Sequence, residues 1–304
     1  MDKRLLAILA ATATETIYGI NHTVAKGLMP HVIQPFGFIV LRVGGAAILF
    51  WLLSLFTKSE KIARSDWWRI LACAVFGMVL NMLMFFKGLS LSTPINSAVS
   101  MTITPVLLLL LTAVILRERI TLIKTFGIIF GLSGALLLIL FQEKSQSNAP
   151  NIPLGNLLFV LNAISYSFYL ILVKPLVAKY KAVTLLKFFF LIAFCINLPI
   201  GYSELIQVEW TQLGLSEIGQ IIFVIVATTF FTYMFNIFAL KQLSPSTIGV
   251  FIYLQPVVAT IFAVLVGADI LNALRIGAAC LIFTGVFLST RKAKKVKVVE
   301  KIET

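Results

Sequence analysis

The sequence predicts an all-α integral membrane protein in which ten transmembrane helices form two five-helix repeats of inverted topology. Three features of the 304 residues support this: a high apolar content, ten long apolar runs and an internal similarity between the two halves. Hydrophobic residues make up 60% of the chain and charged residues 12%, whereas soluble domains carry roughly 25% charged residues. Too few polar side chains remain to cover a water-exposed surface, which excludes a soluble globular protein and a disordered one.

The ten apolar runs are each long enough to cross the hydrocarbon core of a bilayer, which takes about 20 residues. They are continuous and do not alternate with polar residues, which favours helices over the strands of a membrane barrel. In chain order, the predicted spans cover residues 5–27, 35–56, 67–86, 95–116, 121–141, 154–174, 183–202, 217–240, 245–266 and 273–290.

Lys and Arg residues are distributed unevenly between the two sets of loops. With the N-terminus in the cytoplasm, 20 of the 25 basic residues lie on the cytoplasmic side and four on the other, while Arg42 lies within a span. This distribution follows the positive-inside rule and predicts a multi-pass protein of the plasma or inner membrane with both termini in the cytoplasm. The net charge of +13 is therefore interpreted as an orientation signal. The predicted surroundings are a lipid bilayer, and no nucleic-acid partner is predicted.

The two halves resemble each other when the sequence is shifted by 151 residues. The most specific matches are Pro94 with Pro245, Pro105 with Pro256, and Gly134 with Gly285. Five spans per half give the second half the opposite orientation in the membrane. Inverted repeats with a site near the midplane are a transporter architecture. The predicted organisation is a first repeat at 5–141, a linker at 142–153, a second repeat at 154–290 and a basic cytoplasmic tail at 291–304.

Charged residues inside the spans are candidates for function, because a charge at the centre of a membrane helix costs about 2.5–3.5 kcal/mol on insertion scales. In span one, Glu15, His22 and Lys26 recur at helical spacing on one face, with Glu15 near the midplane. Arg42 lies in span two. Two interpretations stay open: Glu15, His22 and Arg42 line a cavity, or Glu15 and Arg42 form a structural ion pair between helices.

Other spans carry polar side chains at matching spacings, and Pro105 and Pro256 are predicted to kink spans four and nine near a central site. Buried amides and hydroxyls also form hydrogen bonds between membrane helices, so each of these residues has a structural alternative. The remaining cavity candidates are Asn81, Thr104, Asn162, Tyr166, Tyr169, Tyr233, Asn236, Tyr253 and Gln255.

The chain resembles the EamA domains of the drug/metabolite transporter superfamily, once in each half. The matching segments are Leu89–Pro105 followed by Leu116-Arg117-Glu118-Arg119 and Gly127–Gly134, then Tyr233–Ala259 with Gly267-Ala268-Asp269, Gly277 and Gly285. Tyr18-Gly19-Ile20-Asn21 is similar to the family's Trp-Gly-x-Asn opening, and Leu41-Arg42 lies where the family often has Arg. Tyr18 in place of Trp and Asp269 in place of Glu depart from the pattern. The resemblance implies ten helices and metabolite transport, and it adds Asn21 to the cavity candidates.

The sequence predicts a transporter and not an enzyme. Cys73, Cys195 and Cys280 lack metal-ligand spacing, the chain has no phosphate-binding loop, and no cofactor or metal is predicted. The favoured function is a secondary transporter, and specifically an exporter, of amino acids or related small metabolites by alternating access, with a possible coupling proton. The alternatives are a nucleotide-sugar or phosphorylated-metabolite transporter, and a membrane sensor or assembly factor without flux.

Overall fold

The computed structural model describes residues 2–29, 32–58, 60–92, 101–117, 120–140, 151–265 and 273–290, which contain ten helices and no strand. The all-α membrane fold predicted from the sequence is confirmed. The helices are α1 Lys3–Leu28, α2 Pro35–Leu55, α3 Arg64–Leu91, α4 Thr104–Ile115, α5 Leu122–Leu140, α6 Ile152–Lys179, α7 Ala182–Ile206, α8 Leu215–Gln242, α9 in two segments Pro245–Phe251 and Leu254–Leu265, and α10 Ala273–Thr290.

Five of these helices, α2, α3, α6, α7 and α8, are long and apolar enough to cross a membrane, and α4, α5, α9 and α10 contain shorter apolar helices. The predicted spans three and six are shorter than the observed helices α3 and α6. Helix α6 continues through Pro175 for one further turn to Lys179, because a proline removes only one hydrogen bond, and the Tyr180 N–H still donates to the Leu176 carbonyl at 2.9 Å. The predicted tail lies outside the described residues, as does all but 151–153 of the predicted linker.

The packing of the helices has an approximate two-fold symmetry that exchanges the two repeats. Three helices pack against their own counterparts: α2 on α7, α4 on α9 and α5 on α10. Two further sets of contacts are exchanged between the repeats: α1 packs on α8 and α9, while α6 packs on α3 and α4. Because each half crosses the membrane an odd number of times, the two repeats have opposite orientations. The approximate two-fold axis that relates them therefore lies in the membrane plane.

Two irregularities of the helices recur in the second half within two residues of the 151-residue offset. Wide helical turns with π-type hydrogen bonding occur at Val75–Leu80 in α3 and at Val224–Phe231 in α8. Helical geometry is also interrupted at residues 102–103, before Pro105, and at residues 252–253, before Pro256. Proline has no N–H for the Ile252 carbonyl, which instead accepts the Gln255 N–H at 3.1 Å. Such irregularities are frequent at functional sites.

The contact between α5 and α10 shows the exchange at atomic scale. A Cβ on Gly134 would lie 2.6 Å from the Ala278 carbonyl oxygen, and one on Gly285 would lie 2.5 Å from that of Gly127. A shift of 151 residues converts Gly134 to Gly285 and Gly127 to Ala278, so these are one contact made twice. Glycine permits this close approach of two backbones.

The ends of helices are also tied across the repeats. The Glu204 carboxylate, near the end of α7, accepts the backbone N–H groups of Phe36 at 2.6 Å and Gly37 at 2.8 Å. These are unsatisfied donors in the first turn of α2, where the helix dipole also favours a negative charge. The bond fixes α2 against α7 on the face of the membrane opposite the N-terminus.

Candidate functional site

A cavity with an empty volume of about 770 Å³, part of it open to solvent, lies between helices of both repeats. Nine residues predicted from the sequence line it: Glu15, Asn21, Arg42, Asn81, Thr104, Asn162, Tyr166, Tyr233 and Gln255.

Three predicted residues are not among those that line this cavity. Tyr169 is buried behind Tyr166, with their ring centroids 6.0 Å apart, and its ring covers the backbone at Gly77. The Tyr253 hydroxyl donates to the Thr102 carbonyl at 3.3 Å, so it joins the two interrupted helices. Asn236 is buried on α8.

Tyr169 and Asn236 each lie three residues after a lining tyrosine, Tyr166 or Tyr233, on the same helix face, so spacing alone did not separate them. His22 lies on α1, but its side chain is outside the described part of the structure.

Six lining residues were not predicted: Tyr18, Met82, Phe85, Phe86, Met101 and Ile252. Tyr18 had a signal, because it stands three residues after Glu15 and three before Asn21, on the same face of α1. The other five are apolar. In a membrane protein, an apolar side chain suits the lipid and a cavity equally well, so the sequence holds no signal for them.

The Glu15 carboxylate is buried and is held by one neutral donor. The Gln255 side-chain amide donates to it across α1 and α9, with 2.5 Å between Nε2 and Oε2. One turn further along α1, a Cβ on Gly19 would lie 2.8 Å from the Val258 side chain, so the two helices approach closely here. Among the described side chains, no cation forms an ion pair with Glu15.

The Arg42 guanidinium is the second buried charge of the cavity. Its Nε donates to the Thr229 hydroxyl at 3.2 Å, and its Cζ lies 5.7 Å and 5.5 Å from the ring centroids of Phe38 and Phe86. The proposed structural ion pair with Glu15 is absent from the described residues, because Glu15 is bonded to Gln255 on another helix. The cavity thus presents both charges without mutual neutralisation.

The polar side chains of the lining divide into satisfied and unsatisfied groups. The Asn162 amide donates to the Asn81 carbonyl at 2.6 Å, so these two residues join α6 to α3 as the structural interpretation expects. The Thr232 hydroxyl donates to the Tyr18 hydroxyl at 3.1 Å. In contrast, the buried Asn21 Oδ1 and Thr104 Oγ1 have no hydrogen-bond partner within the described chain. A polar ligand would supply one.

The cavity lies toward the membrane face opposite the N-terminus, since its α3 residues Asn81–Phe86 are near the end of that helix. On the N-terminal face, a polar cluster ties the α2–α3 loop to the junction of α6 and α7. The Tyr180 hydroxyl donates to Asp66 at 2.8 Å and accepts the Ala63 N–H at 3.0 Å, while the Lys179 ammonium lies 3.1 Å from Asp66.

Glu60 belongs to the same cluster. Partial burial, the largest influence, raises the pKa of Glu60, but the Lys181 N–H and the Thr184 hydroxyl, both at 2.8 Å, together with nearby lysines lower the pKa below its ordinary value. The carboxylate therefore stays ionised at neutral pH. This cluster ties the first repeat to the second on the N-terminal face of the protein.

The repeat symmetry also relates residues of the cavity lining to each other. Four pairs of lining residues are 151 positions apart: Glu15 and Tyr166, Met82 and Tyr233, Met101 and Ile252, and Thr104 and Gln255. The lining is therefore built by equivalent helix faces of the two halves, with different side chains at equivalent positions.

Comparison with known proteins agrees with this architecture. The chain matches the EamA-like transporter family twice in tandem, at residues 5–140 and 153–291. It belongs to the EamA-like transporter family. A relative from Archaeoglobus fulgidus, described as an uncharacterized transporter, is 26% identical over 92% of this chain and 96% of its own. YetK of Bacillus subtilis, also described as an uncharacterized transporter, is 23% identical over 97% of this chain and 90% of its own.

The fold is also found in solved structures. One crystal structure superposes with a TM-score of 0.78 at 17% identity, covering 93% of this chain and 96% of that one. At this identity the likeness concerns the fold alone. Family membership and the named relatives make this EamA protein a multi-pass membrane transporter and indicate a function other than catalysis, which confirms the resemblance seen in the sequence.

Proposed function

We propose that this EamA protein is a secondary carrier of amino acids or closely related zwitterionic metabolites, working by alternating access. One observation supports this most directly: a buried carboxylate, Glu15, and a buried guanidinium, Arg42, share a cavity and do not pair with each other. Burying an unpaired charge is costly. A ligand that carries both an ammonium and a carboxylate group compensates both charges at once.

Arg42 suits the carboxylate of such a ligand. Only its Nε is used by the protein, so within the described structure both terminal nitrogens are available for a two-pronged bond to a carboxylate. Glu15 suits the ammonium group, or a proton when the carrier is empty. Asn21 Oδ1 and Thr104 Oγ1 are unsatisfied atoms of two further lining residues and add neutral hydrogen-bonding capacity.

The rest of the lining suits an apolar side chain. Met82, Phe85 and Phe86 present one face of α3 to the cavity, and Met101 and Ile252 come from the interrupted helices α4 and α9. This assigns the apolar part of the substrate to flexible Met and Phe side chains.

Export, driven by the gradient of the solute or by protons exchanged at Glu15, is the direction we propose. Carriers of nucleotide sugars or phosphorylated metabolites bind two or more negative charges. Among the described lining residues the cavity offers one cation, Arg42. The charge balance of this cavity therefore favours a zwitterion over a phosphate ester.

The test is uptake of labelled amino acids by proteoliposomes that contain the purified protein. The expected result is saturable flux of an amino acid with an apolar side chain, and at least about 30-fold lower kcat/KM for Glu15→Gln. Glu209→Gln, an exposed carboxylate outside the cavity, is the matched control and should transport normally. Flux confined to sugar phosphates, or no flux for any of the solutes, would contradict the proposal.

A further inference from the structure

The bond between Glu15 and Gln255 has a counterpart position in the other half of the molecule. Shifting Glu15 by 151 residues gives Tyr166, and shifting Gln255 back by 151 gives Thr104. Helix α6 packs on α4 as α1 packs on α9, and all four side chains line the same cavity. The fold therefore offers two equivalent places for a hydrogen bond across a pair of helices.

Only one of the two bonds is formed in this structure. Gln255 donates to Glu15 with 2.5 Å between the atoms. Thr104 is 1% exposed and its hydroxyl is unsatisfied. The Tyr166 hydroxyl likewise has no hydrogen bond to any described residue. A buried hydroxyl without a partner is rare and costly, so the Thr104 site carries strain that a partner would relieve.

The two pairs also lie beside the two interrupted helical turns of the fold. Thr104 directly precedes Pro105, and Gln255 directly precedes Pro256, beside the interrupted turns of α4 and α9. A change in either interruption moves the side chain next to it. The formation of each bond therefore depends on the bend of one interrupted helix, and the bond restrains that bend.

Inverted-repeat carriers change state when one repeat or bundle rocks against the other around a fixed site, and each repeat can take up the conformation of its counterpart. We propose that Thr104 and Tyr166 form a hydrogen bond in the state open to the N-terminal face, and that the bond between Glu15 and Gln255 is broken in that state. Thr104 and Gln255 are then opposed positioning residues, each of which holds one of the two states. This inference rests on the proposed alternating access but not on the identity of the substrate.

The inference also links substrate to movement. An ammonium group that binds Glu15 competes with the Gln255 amide for the negative charge of the carboxylate. Binding therefore weakens the bond that restrains α9 and frees that helix to move. No such competition exists at Tyr166, so the two states respond differently to substrate.

The proposal is tested by labelling a cysteine placed in the cavity, Phe85→Cys, with a membrane-impermeant thiol reagent in oriented proteoliposomes. The exposed Cys195 and Cys280 are replaced by Ser, while Cys73 is buried. Thr104→Val keeps the shape of the side chain and removes the hydroxyl. It should destabilise the state open to the N-terminal face and shift the labelling ratio of the two faces by about 2- to 10-fold toward the opposite face.

Three further variants separate this role from a merely structural one. Tyr166→Phe should reproduce the shift of Thr104→Val, Gln255→Leu should shift the ratio in the reverse direction, and Thr104→Ser should restore the original ratio. The matched control is Thr112→Val on the same helix, whose hydroxyl bonds only to the Leu109 carbonyl of its own helix at 3.0 Å.

Opposite shifts for Thr104→Val and Gln255→Leu support the proposal. Shifts in the same direction, or no shift for Thr104→Val and Tyr166→Phe, overturn it. Should Thr104→Val fail to fold, Tyr166→Phe removes the other partner of the same bond and tests it equally. Labelling requires no transported solute, so an incorrect assignment of the substrate class would leave these outcomes unchanged.

Discussion

The two repeats share one scaffold but contribute unlike chemistry to the cavity. At the contact between α5 and α10 they are interchangeable, because Gly134 against Ala278 repeats Gly127 against Gly285. In the cavity, the first repeat supplies both charges. Its Glu15 is matched by Tyr166 in the second repeat, and its Arg42 by Ala193 at the same offset.

This difference teaches which parts of the molecule need symmetry. Two exchangeable halves allow a scaffold to open to either face at similar cost. A symmetric cavity, in contrast, would bind a symmetric ligand. Because both charges come from one half, the zwitterion that we propose as substrate would bind in one orientation relative to α1 and α2.

The largest expected effect concerns the charge that only the first repeat supplies. Arg42→Met keeps much of the side-chain volume and removes the guanidinium, so the substrate carboxylate loses its partner. We expect kcat/KM for amino-acid flux to fall by about 100-fold. Arg42→Lys should recover only part of it, because an ammonium group lacks the two-pronged geometry.

Arg64→Met, which changes an exposed arginine before the membrane-spanning part of α3, is the control for this experiment. Its flux should equal that of the unmodified protein. Normal transport by Arg42→Met would show that the asymmetry of charge has no part in binding.

A smaller effect is expected where the repeats are alike. Gly285→Ala and Gly134→Ala each force a Cβ to within about 2.6 Å of a carbonyl oxygen on the partner helix. Both should lower the free energy of unfolding by about 1–3 kcal/mol, and by similar amounts, because the two contacts are equivalent. Thermal unfolding in detergent measures this.

The control lies on the same helix as Gly285. A Cβ on Gly277 would meet no atom within 4 Å, so Gly277→Ala should be neutral or slightly stabilising. Unequal losses for Gly134→Ala and Gly285→Ala would show that the scaffold is less symmetric than its contacts suggest.

The smallest effect concerns the polar cluster on the N-terminal face, which ties the first repeat to the second. Because the pKa of Glu60 is lowered in the folded protein, its carboxylate contributes stability above the ordinary pKa of 4.5, and this contribution is lost as the pH falls through the folded-state value. Glu60→Gln should therefore cost about 0.5 kcal/mol at neutral pH. At a pH well below 4.5, the two proteins should unfold at the same temperature.

Most of the helical architecture could be predicted from the sequence, because lipid imposes strong rules on it. Each apolar run must satisfy its own backbone, so the ten spans follow from hydropathy alone. Charged and amide groups are also costly to bury in a membrane, so Glu15, Arg42 and Gln255 could be recognised as candidates without knowledge of the fold.

Contacts between helices could not be predicted in the same way. Glu15 bonds to Gln255 and not to Arg42 because α1 crosses α9 at Gly19, and no local pattern states which helices cross. The apolar lining at Met82 and Phe85 is likewise a matter of packing, since their side chains would be equally stable against lipid.

The sequence by itself thus determined the ten helices, the repeat and which residues are too polar for lipid, because each is set by the transfer of single segments or groups from water. The tertiary structure alone decided which polar atoms are satisfied by the protein, as with Asn81 and Asn162, and which remain available, as with Thr104. That outcome depends on distances between helices far apart in the chain, and only the packed fold sets those distances.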